Sequence, residues 1–222
     1  MSRQAWLGIE CYQKIVLQLS NKIYIWLIAL ACLVSFFSSF GSKLNLIEPI
    51  FFNKFLISFN QIQFYDFNTT YLKGNEWWRL ITPMFIHFSP THLIFNSLWI
   101  YVLGREIEKL DGKIVFIFLI LFTSISSNYL QYSFSGPSLF GGLSGVVYGL
   151  LGYCFVSETF LRINKFSFPP AIYIFMFVWL LIGFTGFLDL LGFGKIANFA
   201  HLGGLLAGIL SGYIFSMYNK KT

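Results

Sequence analysis

The chain has 222 residues, of which 56% are hydrophobic, 21% aromatic and only 11% charged. Soluble domains carry about 25% charged residues, so this composition leaves too little polar surface for a water-facing globule and excludes that class. The net charge of +6 comes from basic residues scattered over helix ends and loops. They form no phosphate-tracking stripe, so no nucleic-acid partner is expected, and anchoring against the lipid bilayer accounts for them.

The apolar runs are continuous and do not alternate, which excludes a membrane β-barrel and predicts an all-α, polytopic membrane protein. A bilayer core about 30 Å thick takes about 20 helical residues per crossing, so six crossings and their loops fit one domain. Residues 1–22 read as a short cytoplasmic N-terminal lead whose apolar stripe (Trp6, Ile9, Ile15, Val16, Leu19) suits the membrane surface. Ile23 to Phe40 is the first crossing, expected to stay uncleaved because no small-x-small site follows it. Residues 41–88 mix Asn, Lys, Asp and Glu with abundant Phe, Trp and Tyr, the composition of a long structured loop at headgroup level.

The second crossing spans Pro90 to Leu110 and ends at the Asp111-Gly112 turn, and the third runs from Lys113 to Tyr132. A Ser- and Gly-rich loop over 133–142 leads into the fourth, Ser144 to Phe160. A basic turn with Arg162 and Lys165 ends at Pro169-Pro170, which suits the start of the fifth, Ala171 to Leu188. A loop over 189–195 precedes the sixth, Asn198 to Tyr218. The organisation is thus a lead (1–22), a six-helix transmembrane domain (23–218) and a cytoplasmic tail (219–222). Cys11, Cys32 and Cys154 are odd in number and widely spaced, so they read as free thiols. Arg3, Lys14, Lys22, Arg105, Lys109, Lys113, Arg162, Lys165, Lys220 and Lys221 fall on one side of this topology, against Lys43, Lys54, Lys73, Arg79 and Lys195 on the other. That bias places both termini in the cytoplasm.

With this orientation the even-numbered crossings begin near the outer face, and the unexplained polar residues sit at their starts: His92 and Asn96, Ser144, Asn198 and His201. A polar group in a span is costly unless it has partners or water, and is a functional hypothesis by default. Taken singly, a membrane His serves interhelical hydrogen bonding and a Ser beside Gly serves close packing. Three helices bringing such groups to one layer is the stronger signal.

Gly141, Gly142 and Gly145 surround Leu143-Ser144, letting the loop turn just before a helix whose first amides are free to hold a developing oxyanion. The nucleophile elbow of soluble hydrolases needs Gly two places after the serine, where this chain has Val146. Tyr148 lies one turn below Ser144. Ala200-His201 is followed by Gly204 and Gly208, a small-residue strip suited to packing on the fourth helix with its Gly145 and Gly149. Such packing brings an imidazole to the hydroxyl, which can then be activated as a nucleophile. His92 and Asn96 share a helix face and can donate to the oxyanion. His87 and His92, five apart, cannot form a one-face helical metal pair, and no metal motif exists, so His87 is expected at the interface near Phe88. Asp189 and Asn198 are candidate orienters of the imidazole, but a Ser-His dyad is the expected arrangement.

Together these residues resemble the rhomboid family of intramembrane serine proteases, in its minimal bacterial branch. The resemblance rests on Trp78-Arg79, His92-x-x-x-Asn96, Gly142-Leu143-Ser144-Gly145 with Tyr148, and Ala200-His201-x-x-Gly204-x-x-x-Gly208, over about residues 75–210. It implies a rhomboid-like bundle with Ser144 as nucleophile and His201 as general base. The backbone amides of Leu143 and Ser144 and the side chains of His92 and Asn96 then form the oxyanion hole, and Tyr148 packs on His201. Trp78-Arg79 braces the first loop, and Glu108 matches a structural helix-end glutamate. The resemblance further implies a bacterial inner-membrane enzyme without cofactor or metal that cuts transmembrane protein substrates near the outer face. The first loop diverges from the family pattern, which bears on substrate choice and gating. The aromatic fifth helix (Tyr173, Phe175, Phe177, Trp179) is an expected lateral gate. The alternative is a non-proteolytic rhomboid-like membrane chaperone or trafficking factor, a class that usually lacks the serine or the histidine.

Overall fold

The computed structural model describes residues 21–59, 61–160, 165–187 and 196–219. The lead up to residue 20 with Cys11, the turn residue Arg162, Leu188, the Asp189–Lys195 loop and the tail from Lys220 lie outside the described residues. Among the described residues the bundle is built from these longer helical segments. They are α1 (Ile23–Phe37), α2 (Pro90–Trp99, continued by a π-helical turn Ile100–Gly104 and by Arg105–Leu110), α3 (Gly112–Ser135), α4 (Ser144–Phe155, ending in a π-helical turn Val156–Phe160), α5 (Pro170–Phe184) and α6 (Asn198–Asn219).

The chain is mostly helical, with one departure from the all-α expectation. Within the first loop, β1 (Phe55–Ser58) and β2 (Gln61–Phe64) pair as an antiparallel hairpin with Phe55 opposite Phe64 and Ile57 opposite Ile62. Its cause is the period-two alternation of Gln61-Ile62-Gln63-Phe64, which puts apolar side chains on one face. The first helix also ends three residues earlier than expected. Ser39 and Phe40 take left-handed backbone angles, and the Phe40 amide turns back to the Ser35 carbonyl at 2.7 Å.

By length and apolarity, Gly112–Ser135 and the Asn198–Phe215 part of α6 are each able to cross a membrane. Ile23–Phe37 and Pro170–Phe184 are apolar but shorter, at 15 residues each. The polarity of the bundle is reversed relative to a soluble protein. On α3 the buried face carries Thr123, Ser124, Ser127, Asn128 and Gln131, while Ile114, Phe118, Leu121 and Phe134 are exposed. Only a solvent as apolar as the core makes that arrangement favourable.

The centre of the bundle is α4, in which every residue from Gly145 to Cys154 is buried. Close approach explains how α6 lies along it: a Cβ on Gly204 would collide with the Gly145 carbonyl, and one on Gly208 with the Gly149 carbonyl. The other anchor is at the opposite end. Glu108, at the end of α2, accepts the Ile23 and Tyr24 amides at 3.1 Å each, satisfying the first free donors of α1 from 84 residues away. Asp111 pairs with Lys165 at the same end.

The first loop is held by an aromatic cluster of Phe52, Tyr71 and Phe140 and by Arg79. The Arg79 side chain is 2% exposed. Its guanidinium donates to the Glu48 and Phe51 carbonyls and to the Glu48 and Glu76 carboxylates. Trp78 is half exposed, and its indole N–H donates to the Pro49 carbonyl at 2.9 Å.

Candidate active site

Ser144 is the first residue of α4, and no side chain caps that helix start. The loop reaches it through Gly142, whose φ of +118° is open only to glycine, and where a Cβ would stand 2.7 Å from His92 Cε1. The Gly142 amide is tied to the Pro83 carbonyl at 3.0 Å, so the serine turn rests on the segment that precedes α2. Along α6, the Gly204 contact with Gly145 sets the depth at which His201 enters. His201 is 7% exposed, and its Nε2 lies 2.9 Å from Ser144 Oγ. The Tyr148 ring stacks on the imidazole with centroids 4.7 Å apart, and its hydroxyl donates to the Met176 carbonyl of α5. Burial, stacking and the hydroxyl leave the imidazole in one orientation.

On the facing side α2 starts at Pro90, and Ser89 Oγ caps it by accepting the His92 amide at 3.2 Å. One turn on, Asn96 is buried, and its Nδ2 has no hydrogen-bond partner among the described residues. A buried donor left open is uncommon. This one faces the Gly142 turn, since a Cβ on Gly142 would be 3.5 Å from it. The face of α2 toward the start of α4 therefore offers one unsatisfied donor, Asn96 Nδ2, near a hydroxyl paired with an imidazole.

Two placements differ from the sequence reading. His87 is not an interfacial residue near Phe88: it is fully buried, with its ring 5.0 Å from that of His92. The helical spacing argument fails for it because α2 begins only at Pro90, and the extended chain before the cap folds His87 inward. The Ser89-Pro90 start signal was the clue that His87 lies off the helix. Second, the Leu143 amide, expected among the oxyanion donors, donates to His87 Nε2 at 3.4 Å. Asn198, a candidate orienter set aside in favour of a dyad, donates its Nδ2 hydrogen to the Gly183 carbonyl of α5 at 2.8 Å. Among the described residues no group of three metal-ligating side chains occurs.

A family profile described as Rhomboid domain matches residues 74–218, a stretch that holds the first-loop arginine, α2, the start of α4 and α6 as far as residue 218. The chain is also 40% identical over 136 residues to "Rhomboid protease GlpG" of Serratia proteamaculans (strain 568), covering 61% of this chain and 47% of that protein. It thus spans about half the length of this curated relative. With a profile match that runs from the buried arginine of the first loop through the paired serine and histidine, the chain belongs to the rhomboid family.

Proposed function

We propose that the protein is an intramembrane serine endopeptidase that hydrolyses peptide bonds in transmembrane segments of membrane proteins near the outer face of a bacterial inner membrane. The observation that carries this reading is the 2.9 Å contact between Ser144 Oγ and His201 Nε2 within the region shared with the family. A non-proteolytic chaperone has no need of a serine and a buried imidazole in hydrogen-bond contact.

The chemistry follows from the contact. His201 Nε2 takes the Ser144 proton as Oγ attacks the substrate carbonyl, and the tetrahedral oxyanion forms. The Ser144 amide, His92 and the open Asn96 Nδ2 are its donors, fixed before the charge develops. His201 then gives the proton to the leaving amine, and water repeats the sequence on the acyl-enzyme. No metal or cofactor is needed for any of these steps.

In this reading residues 23–218 form the protease domain, crossing the membrane six times with both termini in the cytoplasm. Support comes from the excess of Lys and Arg on one side and from the clustering of Glu108, Asp111, Lys113 and Lys165 at the end of the bundle where α1 begins. Substrate enters between α2 and α5, where Phe95 stacks on Trp179 with centroids 6.4 Å apart.

The test is cleavage of a model transmembrane substrate and labelling by a fluorophosphonate probe. Wild-type protein is expected to do both, and Ser144→Ala and His201→Ala to do neither. Undiminished cleavage by Ser144→Ala would eliminate the dyad.

A further inference from the structure

The buried His87 touches both halves of the anion-binding cleft and is itself in neither. One contact is to the backbone half, where its Nε2 accepts the Leu143 amide at the residue before Ser144. The other is to the side-chain half, where its ring and the His92 ring stand in a T-shaped contact at 5.0 Å and 62°. On its far side Nδ1 lies 3.2 Å from the Phe85 carbonyl and 3.5 Å from Ser35 Oγ on α1.

These partners fix the tautomer. A carbonyl oxygen only accepts, so Nδ1 carries the hydrogen and donates to Phe85. Nε2 is therefore bare and is able to accept from Leu143. Protonation at Nε2 would point an N–H at another N–H and push the Gly142-Leu143 peptide out of place. That peptide is the last before the one that carries the Ser144 amide, at the N-cap of α4, so its displacement would be passed on to Ser144.

We infer that His87 is a positioning residue of the oxyanion cleft: as the Nδ1-protonated tautomer, it holds the Gly142-Leu143 peptide through Nε2 and the His92 imidazole through the T-shaped ring contact, so the two halves keep one spacing. The inference rests on the serine-protease reading above and changes one part of it. The Leu143 amide is spent on His87, which leaves the Ser144 amide, His92 and Asn96 as the donors to the oxyanion.

Two amide side chains separate this role from simple packing. A glutamine amide reaches the position of Nε2, whereas an asparagine amide reaches only that of Nδ1. With a model transmembrane substrate, and turnover expressed per active site titrated by fluorophosphonate, His87→Leu and His87→Asn are expected to lower kcat about tenfold or more. KM should stay within about twofold, because oxyanion contacts strengthen only in the transition state. His87→Gln should recover most of the loss. Equal kcat per titrated site in His87→Leu and wild type, or equal losses for Asn and Gln, would overturn the assignment.

Nitrogen NMR of isotope-labelled histidine reads the tautomer in the wild-type protein, with no variant at His87 and no substrate. With the His87 signal identified by subtraction in His92→Ala and His201→Ala, Nδ1 protonation is expected. An Nε2-protonated ring rules the contact out. Cleavage that survives Ser144→Ala would instead sink the protease reading, and the tautomer measurement would still decide the His87 contact.

Discussion

Asn96 carries a buried amide with nothing among the described residues to donate to, and such a group costs about 1–3 kcal/mol unless something arrives to accept from it. A carbonyl oxygen turning into an oxyanion is such an acceptor. Replacing Asn96 by Ala should therefore lower kcat by about 10² or less while leaving the thermal midpoint unchanged or slightly higher, as measured by single-substrate kinetics and a melt in detergent. An unchanged kcat would remove Asn96 from the cleft. The i, i+4 relation of His92 and Asn96 was readable from sequence because both lie on one regular helix. The role of His87 was not, because it depends on an extended segment whose path is set by tertiary contacts to Ser35, Phe85 and Leu143. Periodicity carries no information about such a segment.

Between elements, the strongest constraint is the backbone-to-backbone approach of α4 and α6. Gly204→Val would drive a branched side chain into the Gly145 carbonyl and separate the helices that carry Ser144 and His201. Loss of both cleavage and several degrees of melting temperature is expected. A variant that retains wild-type turnover would show that the approach is not needed. The small-residue strips were visible in the sequence as Gly145/Gly149 and Gly204/Gly208, since their four-residue spacing is a packing signal in itself. The Glu108 cap was of another kind. Its partners, the Ile23 and Tyr24 amides, are backbone groups of a helix far away in sequence. No local pattern announces such a bond, and only the family resemblance drew attention to this glutamate. Glu108→Ala should cost about 1–3 kcal/mol through loss of two charge-assisted bonds to free helix amides, read as a lower denaturation midpoint. An unaltered midpoint would make the cap dispensable.

Across the whole molecule, the first loop is tied to itself by buried charge, with Arg79 bridging Glu48 and Glu76. Burial of Glu76 acts to raise its carboxyl pKa, but hydrogen bonds and charge from Lys54 and Arg79 outweigh it and hold the group below its ordinary 4.5. A carboxylate depressed on folding stabilises the native state above the unfolded value, and that stabilisation is lost as pH falls through the folded value. Melting temperature should therefore fall on acidification below about pH 4.5. Glu76→Gln should melt lower at neutral pH and show a shallower acid decline. Parallel curves for the two proteins would assign the acid limb to other groups. The loop's aromatic composition pointed to a structured segment, and only the family resemblance gave Arg79 a bracing role in it. The burial of the loop's charges around Arg79 depends on the Glu48–Phe51 carbonyls being folded over it, an arrangement that composition does not encode. At the same scale, a cross-link between cysteines at positions 95 and 179 should abolish cleavage of a membrane-embedded substrate. Retained cleavage would count against entry between α2 and α5.

The reversed polarity of α3 has a consequence for biogenesis. When this segment leaves the ribosome and partitions into lipid, Asn128 already has its partners at Leu80 and Ser124, but Gln131 does not yet have all of its own. Gln131 waits for the Ala200 amide, which is synthesised 69 residues later. Until then its amide faces acyl chains or whatever shields it. The nascent protein therefore passes through a half-made state in which an insertase or a neighbouring helix must shelter α3, and truncation ahead of α6 should turn that intermediate into a substrate for quality-control degradation.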